Sequence, residues 1–170
     1  MHKIVWYAVG AVILVGVLSF AYYALSPLFI NIKVDEALPG AKTAEETQGE
    51  VEEMPEEVPV TKTTASPVVD TLAHPASGLV RIVEAEGKTY IRYENYKTIN
   101  GPDIYVYLAK DLEAKEFIDL GKVKATEGNI NYEIPTDLDL AEYRYVLTWC
   151  KAFGVLFNYA DLSIIDQLHV

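Results

Sequence analysis

Hydrophobic and polar positions divide this chain into three unlike patterns. Over residues 4–30 apolar side chains follow one another almost without interruption, and no charge falls between Lys3 and Lys33. About 20 apolar residues carry a helix across a bilayer core, so the run predicts one membrane-spanning helix, with Pro27 marking its end. A cleaved secretory signal is the competing reading, with Ser19-Phe20-Ala21 as the small-x-small cleavage site. The run outlasts the usual signal core of about 7–15 residues, which favours an uncleaved signal anchor behind a short cytoplasmic start at 1–3.

Residues 31–76 show neither period. Ten acids stand against Lys33, Lys42 and Lys62, five prolines are scattered through the stretch, and aromatics are nearly absent. Such a segment buries too little apolar surface to offset its ordering entropy, so it reads as a disordered acidic linker that holds the carboxy-terminal residues away from the membrane.

From residue 77 to 170 the period is short. Stretches 78–84 and 89–94 are β-branched and aromatic and flank Glu86-Gly87, the signature of a hairpin. Further strands are predicted over 104–108, 117–120, 131–134, 143–150 and 153–159, and the one helical candidate, 111–116, runs a turn or two. The expectation is an all-β domain, a compact antiparallel sandwich or barrel of about seven strands. Asn100-Gly101-Pro102-Asp103, Gly128-Asn129 and Pro135-Thr136-Asp137 punctuate it with turns.

Charge adds orientation and excludes one class of partner. Lys3 and the amino terminus precede the apolar run, while Lys33 is followed by Asp35 and Glu36, which favours an amino terminus inside and the rest outside the cytoplasm. The net charge of -11 includes only a mild acidic excess after residue 76, and no basic stripe points to nucleic acid. The expected partners are membrane lipid along 4–30 and an extracytoplasmic redox or surface protein. A domain of this length builds one small core, without room for separate substrate domains.

Chemistry then narrows to the single cysteine, Cys150, in Trp149-Cys150-Lys151-Ala152-Phe153. Without a second thiol it is a small buried hydrophobe, a reactive thiol, a metal ligand or half of an intermolecular bridge. On a strand over 143–150, Tyr143, Tyr145, Leu147 and Trp149 share one face, and Arg144, Val146, Thr148 and Cys150 share the other. That second face is mixed, so the thiol is core or a partly accessible rim. Catalysis by a Cys-His pair is disfavoured, because His169 is next to last and His74 falls in the linker. Copper would need Met54 and both of these histidines, and zinc more ligands than exist, so no metal or other cofactor is expected. Asp103 and Asp137-Leu138-Asp139 read as turn carboxylates before they read as calcium ligands. The nine tyrosines after residue 76 read as half-buried packing before an electron relay.

Several segments together resemble the electron-transfer DM-thirteen domain family: Tyr90-Ile91-Arg92-Tyr93-Glu94-Asn95-Tyr96, Asn100-Gly101-Pro102-Asp103-Ile104-Tyr105, Gly128-Asn129-Ile130-Asn131-Tyr132, and the stretch from Tyr145 through Trp149-Cys150-Lys151-Ala152-Phe153 to Phe157. The resemblance implies a secreted or surface-exposed all-β module with a redox role proposed for the cysteine that corresponds to Cys150. On a redox reading Trp149 and Phe153 are expected to shape the thiol's pocket and Lys151 to tune its charge, with Gly101, Pro102 and Asp103 as a supporting turn. A redox or binding module is then expected rather than a stand-alone enzyme. The alternative is a surface-binding or adhesion module in which Cys150 is packing alone.

Overall fold

The computed structural model describes residues 2–41, 61–62 and 64–163. Helix α1 (His2–Leu25) passes into a 3-10 turn, Ser26–Phe29, where Pro27 ends the α-helical bonding as expected. From residue 3 to residue 20 every side chain on α1 is exposed. A helix apolar on all sides and exposed over most of its length suits lipid as solvent, and 3–29 is long and apolar enough to cross a membrane.

The remainder is mostly β: β1 (Lys33–Asp35), β2 (Thr61–Lys62), β3 (Ser66–Asp70), β4 (Ala76–Ala85), β5 (Lys88–Thr98), β6 (Ile104–Ala109), β7 (Phe117–Lys122), β8 (Glu127–Ile134), β9 (Tyr145–Cys150) and β10 (Val155–Asp161). Nine of them form one curled sheet, a half-barrel, in the order β1-β8-β5-β4-β3-β10-β9-β6-β7, and β2 pairs with β4 off that path. β3 turns the corner, since Ser66 and Pro67 pair with β4 while Val68 to Asp70 pair with β10. The curl lets one face close on itself. Val80, Ile91, Tyr93 and Ile130 from one arm meet Val106, Leu108, Val146 and Ala160 from the other, all essentially without exposed surface. Glu86 and Gly87, both at positive φ, form the two-residue hairpin turn between β4 and β5.

All seven strands read from the alternation are present. Three more precede them, so the strand count is corrected upward, and one pairing, β1 with β8, is parallel rather than antiparallel. These additions fall within 31–76, where acid and proline content predicted only a linker. Long-range contacts override composition there. Thr126 receives the backbone of Ile32 on its hydroxyl, Glu36 takes the amide of Asn131, and Arg92 donates to the carbonyls of Glu36 and Ala37. Gly128, at φ 123°, lets the two backbones meet, because a Cβ there would lie 1.8 Å from the carbonyl oxygen of Val34. Residues 42–60 and 63, the middle of that expected linker, lie outside the described residues.

The helix expected at 111–116 is instead a turn. Asp111 accepts the amides of Glu113 and Lys115 on one carboxylate oxygen, and Ala114 sits at φ 51°. A side chain that binds nearby amides in this way competes with helical bonding.

Candidate functional site

Cys150 ends β9, an interior strand of the sheet, opposite Ile104 of β6 on one side and Val155 of β10 on the other. Val146, Thr148 and Cys150 all point inward with 0% exposure, so the thiol is core and not rim. Its immediate packing partners are Ile104 and Phe157, with Ile99 and Val123 beside them. Phe157 is held against the Gly101 backbone so closely that a Cβ on Gly101 would lie 2.8 Å from its ring.

The cluster forms one wall of an open pocket of about 320 Å³. Cys150 and Phe157 belong to that wall, Gly101 and Pro102 to one rim, and Phe153 of the β9–β10 loop to another. Ala24 and Leu28, at the end of the apolar helical segment, line it from the outside. Two further contacts fix this meeting of helix and sheet: Phe20 and Phe153 pack edge to face at 6.3 Å, and Asn100 donates to the carbonyl of Ile30.

His74 also lines this pocket. Sequence placed it in the linker, remote from the thiol, and the structure corrects that placement. After β3 the chain makes a tight bridge from Thr71 to His74, which swings the imidazole onto Phe157 in a parallel stack 3.9 Å between centroids. Thr71 holds both partners, bonding His74 Nδ1 and the carbonyl of Phe157, each at 2.9 Å. Partial burial lowers the His74 pKa, because an apolar wall disfavours the imidazolium. The only sequence signal for this role was Thr71-Leu72-Ala73-His74 between β3 and β4, too weak to identify in isolation.

Trp149 and Lys151 take the opposite side. Trp149, Tyr105, Tyr145, Leu156 and Tyr159 pack over buried Tyr107 and Leu147, forming a second small core on the outer face. The Lys151 ammonium lies 4.7 Å from the centroid of the Tyr105 ring and 3.8 Å from the Asp119 carboxylate. Neither residue lines the thiol pocket, so the expected shaping by Trp149 and charge tuning by Lys151 have no contact behind them. Phe153, Gly101 and Pro102 do line it. Asp103 supports from behind, its carbonyl taking the Lys151 amide and its carboxylate facing the Lys122 ammonium at 3.5 Å.

The buried tyrosines pack against one another, and the Tyr93 hydroxyl makes no hydrogen bond among the described residues. Tyr93 lies 4.5 Å from Tyr96 and 5.9 Å from Tyr132, ring to ring, and the Tyr96 hydroxyl meets Thr148 and Asn158. Desolvation raises the pKa of both Tyr93 and Tyr96, so these phenols stay protonated. Asp139 caps the amide of Ala141, the turn role expected of it. Among the described residues no cluster of metal-binding side chains is present, while His169 and Met54 lie outside them.

A protein-family model described as Electron transfer DM13 matches residues 68–162. That span takes in both His74 and Cys150. No curated protein and no solved structure matches the chain.

Proposed function

The chain belongs to the Electron transfer DM13 family, and from that premise we propose that it is a membrane-anchored, extracytoplasmic redox module whose electrons pass through Cys150. The observation that carries this reading is the placement of the chain's one thiol in the wall of an apolar pocket, within the family-matched span, where a small oxidant or reductant has a cavity to enter. A single cysteine cycles only through an intermolecular disulfide, an adduct with a small thiol or a bound partner, so the electron partner is another molecule. Phe153, 47% exposed on a loop that turns at Gly154 (φ 63°), is the side chain whose displacement opens the thiol.

The decisive test reacts the full chain in detergent with a thiol reagent across pH, folded and unfolded. Saturable labelling of the folded protein supports the redox role, and labelling only on unfolding overturns it. The zero exposure of Cys150 favours the second reading, a surface-binding module in which the thiol is packing. The same assay chooses between them. Location is tested separately: an epitope at the carboxy terminus is stained on intact cells if the sheet lies outside, and only after permeabilisation if it does not.

A further inference from the structure

His74 is held in one tautomer. The Thr71 hydroxyl has a single proton and donates it to the carbonyl of Phe157 at 2.9 Å. Toward His74 Nδ1, also at 2.9 Å, that oxygen must therefore accept, so Nδ1 carries the ring proton and Nε2 carries the lone pair. The chain carbonyl, hydroxyl and imidazole form a relay that fixes the ring both in angle, through the Phe157 stack, and in protonation. Burial keeps the imidazole neutral, which preserves that lone pair.

The pocket around it has a defined chemical character. Its walls are Phe153, Phe157, Ile99, Val155 and the small residues of the rim, and no Asp, Glu, Lys or Arg lines it. Ions are disfavoured in such a site, since nothing there would offset their desolvation. At about 320 Å³ the cavity stands near the lower end of ligand pockets, which begin at roughly 300 Å³, so it suits one ring rather than two. Ala24 and Leu28 border it at the end of the apolar helical segment, so with that segment in a bilayer the pocket opens beside the membrane. A neutral ring suits these apolar walls, and among the lining side chains His74 offers a hydroxyl on that ring a nitrogen acceptor.

We propose that this pocket binds a hydroquinone from the membrane phase, its ring between the aromatic walls and its hydroxyl donated to Nε2 of His74. The proposal rests on the redox reading for its use, because hydroquinones carry electrons in lipid, and it names the class of partner that reading requires. Binding itself needs the cavity and the imidazole, and it has a readout of its own.

The test uses the full chain in lipid nanodiscs under argon, with trimethylhydroquinone as probe and its dimethyl ether as a ring of the same shape without donors. The reporter is the ¹⁵N resonance of His74 Nε2, assigned by its loss in His74→Phe. The expected result is a saturable shift with the hydroquinone, none with the ether, and about tenfold weaker binding to His74→Phe by calorimetry, the scale of one lost hydrogen bond. Ala73→Trp, which fills the pocket from its exposed rim, abolishes binding while leaving the Thr71–His74 bond in place. Equal response to probe and ether, no shift at all, or undiminished affinity in both variants would overturn the site. Thiol labelling of the same sample keeps the two ideas apart. A His74 shift without labelling retains this site and sinks the thiol role, and labelling without the shift does the reverse.

Discussion

The two faces of β9 bury comparable side chains for different ends. Inward lie Val146, Thr148 and Cys150, inside the core that the curled sheet closes on itself. Outward lie Tyr145, Leu147 and Trp149, covered by their own aromatic neighbours and by the loop that carries Leu112 and Ala114. The outward face sets its cations over rings, Lys151 on Tyr105 and Arg144 on Tyr145, and leaves their charge in water. The inward face carries a bonded polar group of Tyr96, Thr148, Asn158 and Thr98, while the buried Tyr93 hydroxyl beside it has no hydrogen-bond partner among the described residues. The outward face carries an ammonium, whereas the inward thiol packs among Ile104 and Phe157 and lines an apolar pocket that His74 also lines.

The largest expected effect asks whether the outward face is a true core. Leu147→Ala should destabilise the full chain by about 3 kcal/mol, the same scale as Leu108→Ala on the inward side, because both leave a cavity among buried neighbours. Denaturant unfolding in detergent measures both, and a near-neutral Leu147→Ala would reduce the outward cluster to surface decoration. Next, Thr148→Val removes the partner that lies 2.9 Å from the buried Tyr96 hydroxyl. Its cost should be about 1–2 kcal/mol, held down by the remaining contact to Asn158. A variant as stable as the parent would show that this polar network contributes nothing inward.

Access to the thiol should also separate the two faces. Phe153→Ala should raise the thiol labelling rate by roughly tenfold, the equivalent of about 1.4 kcal/mol in the opening step, while Trp149→Leu leaves it within about twofold. Equal acceleration by both would mean that the strand opens as a whole and that the faces are not distinct in access.

The smallest effects are in pH. Arg144 holds the Asp161 carboxyl down from its ordinary 3.8 to about 2, clasping the start of β9 to the end of β10. A depressed acid stabilises the fold above 3.8, and that contribution is lost as pH falls toward 2; with the arginine half in solvent it should be under about 1 kcal/mol. Asp161→Asn removes this acid limb, and an unchanged limb would assign it to other carboxylates. His74 works in the same direction at higher pH. Its folded pKa lies below 6.5, so the unfolded chain binds a proton that the fold resists, and stability declines as pH falls below 6.5. His74→Phe should flatten that decline.

Much of this was legible in the order of residues. Alternation placed Tyr145, Leu147 and Trp149 opposite Val146, Thr148 and Cys150, and Glu86-Gly87 marked its hairpin. Tyr143 did not continue the outward row, because the 3-10 turn Leu140–Glu142 ends there and sends its ring to the main core. β1 and β3 were illegible for another reason. Three to five residues are too few to show a period, and a sheet recruits them with long-range bonds such as Ile32 to Thr126 and Thr71 to Phe157.

The sequence alone determined what a local pattern can encode: one apolar helix ended at Pro27, seven alternating strands, a lone thiol on the face away from Trp149, and membership visible in the Trp-Cys and Gly-Pro-Asp segments. Only the tertiary structure decided that both faces of β9 are covered, that the residues after α1 dock as β1, and that His74 meets the pocket of Cys150 from far away in the chain. The reason is physical. Periodicity reports which way a side chain points, but what it then touches depends on how the sheet curls, and curling is set by contacts between residues that no short window contains.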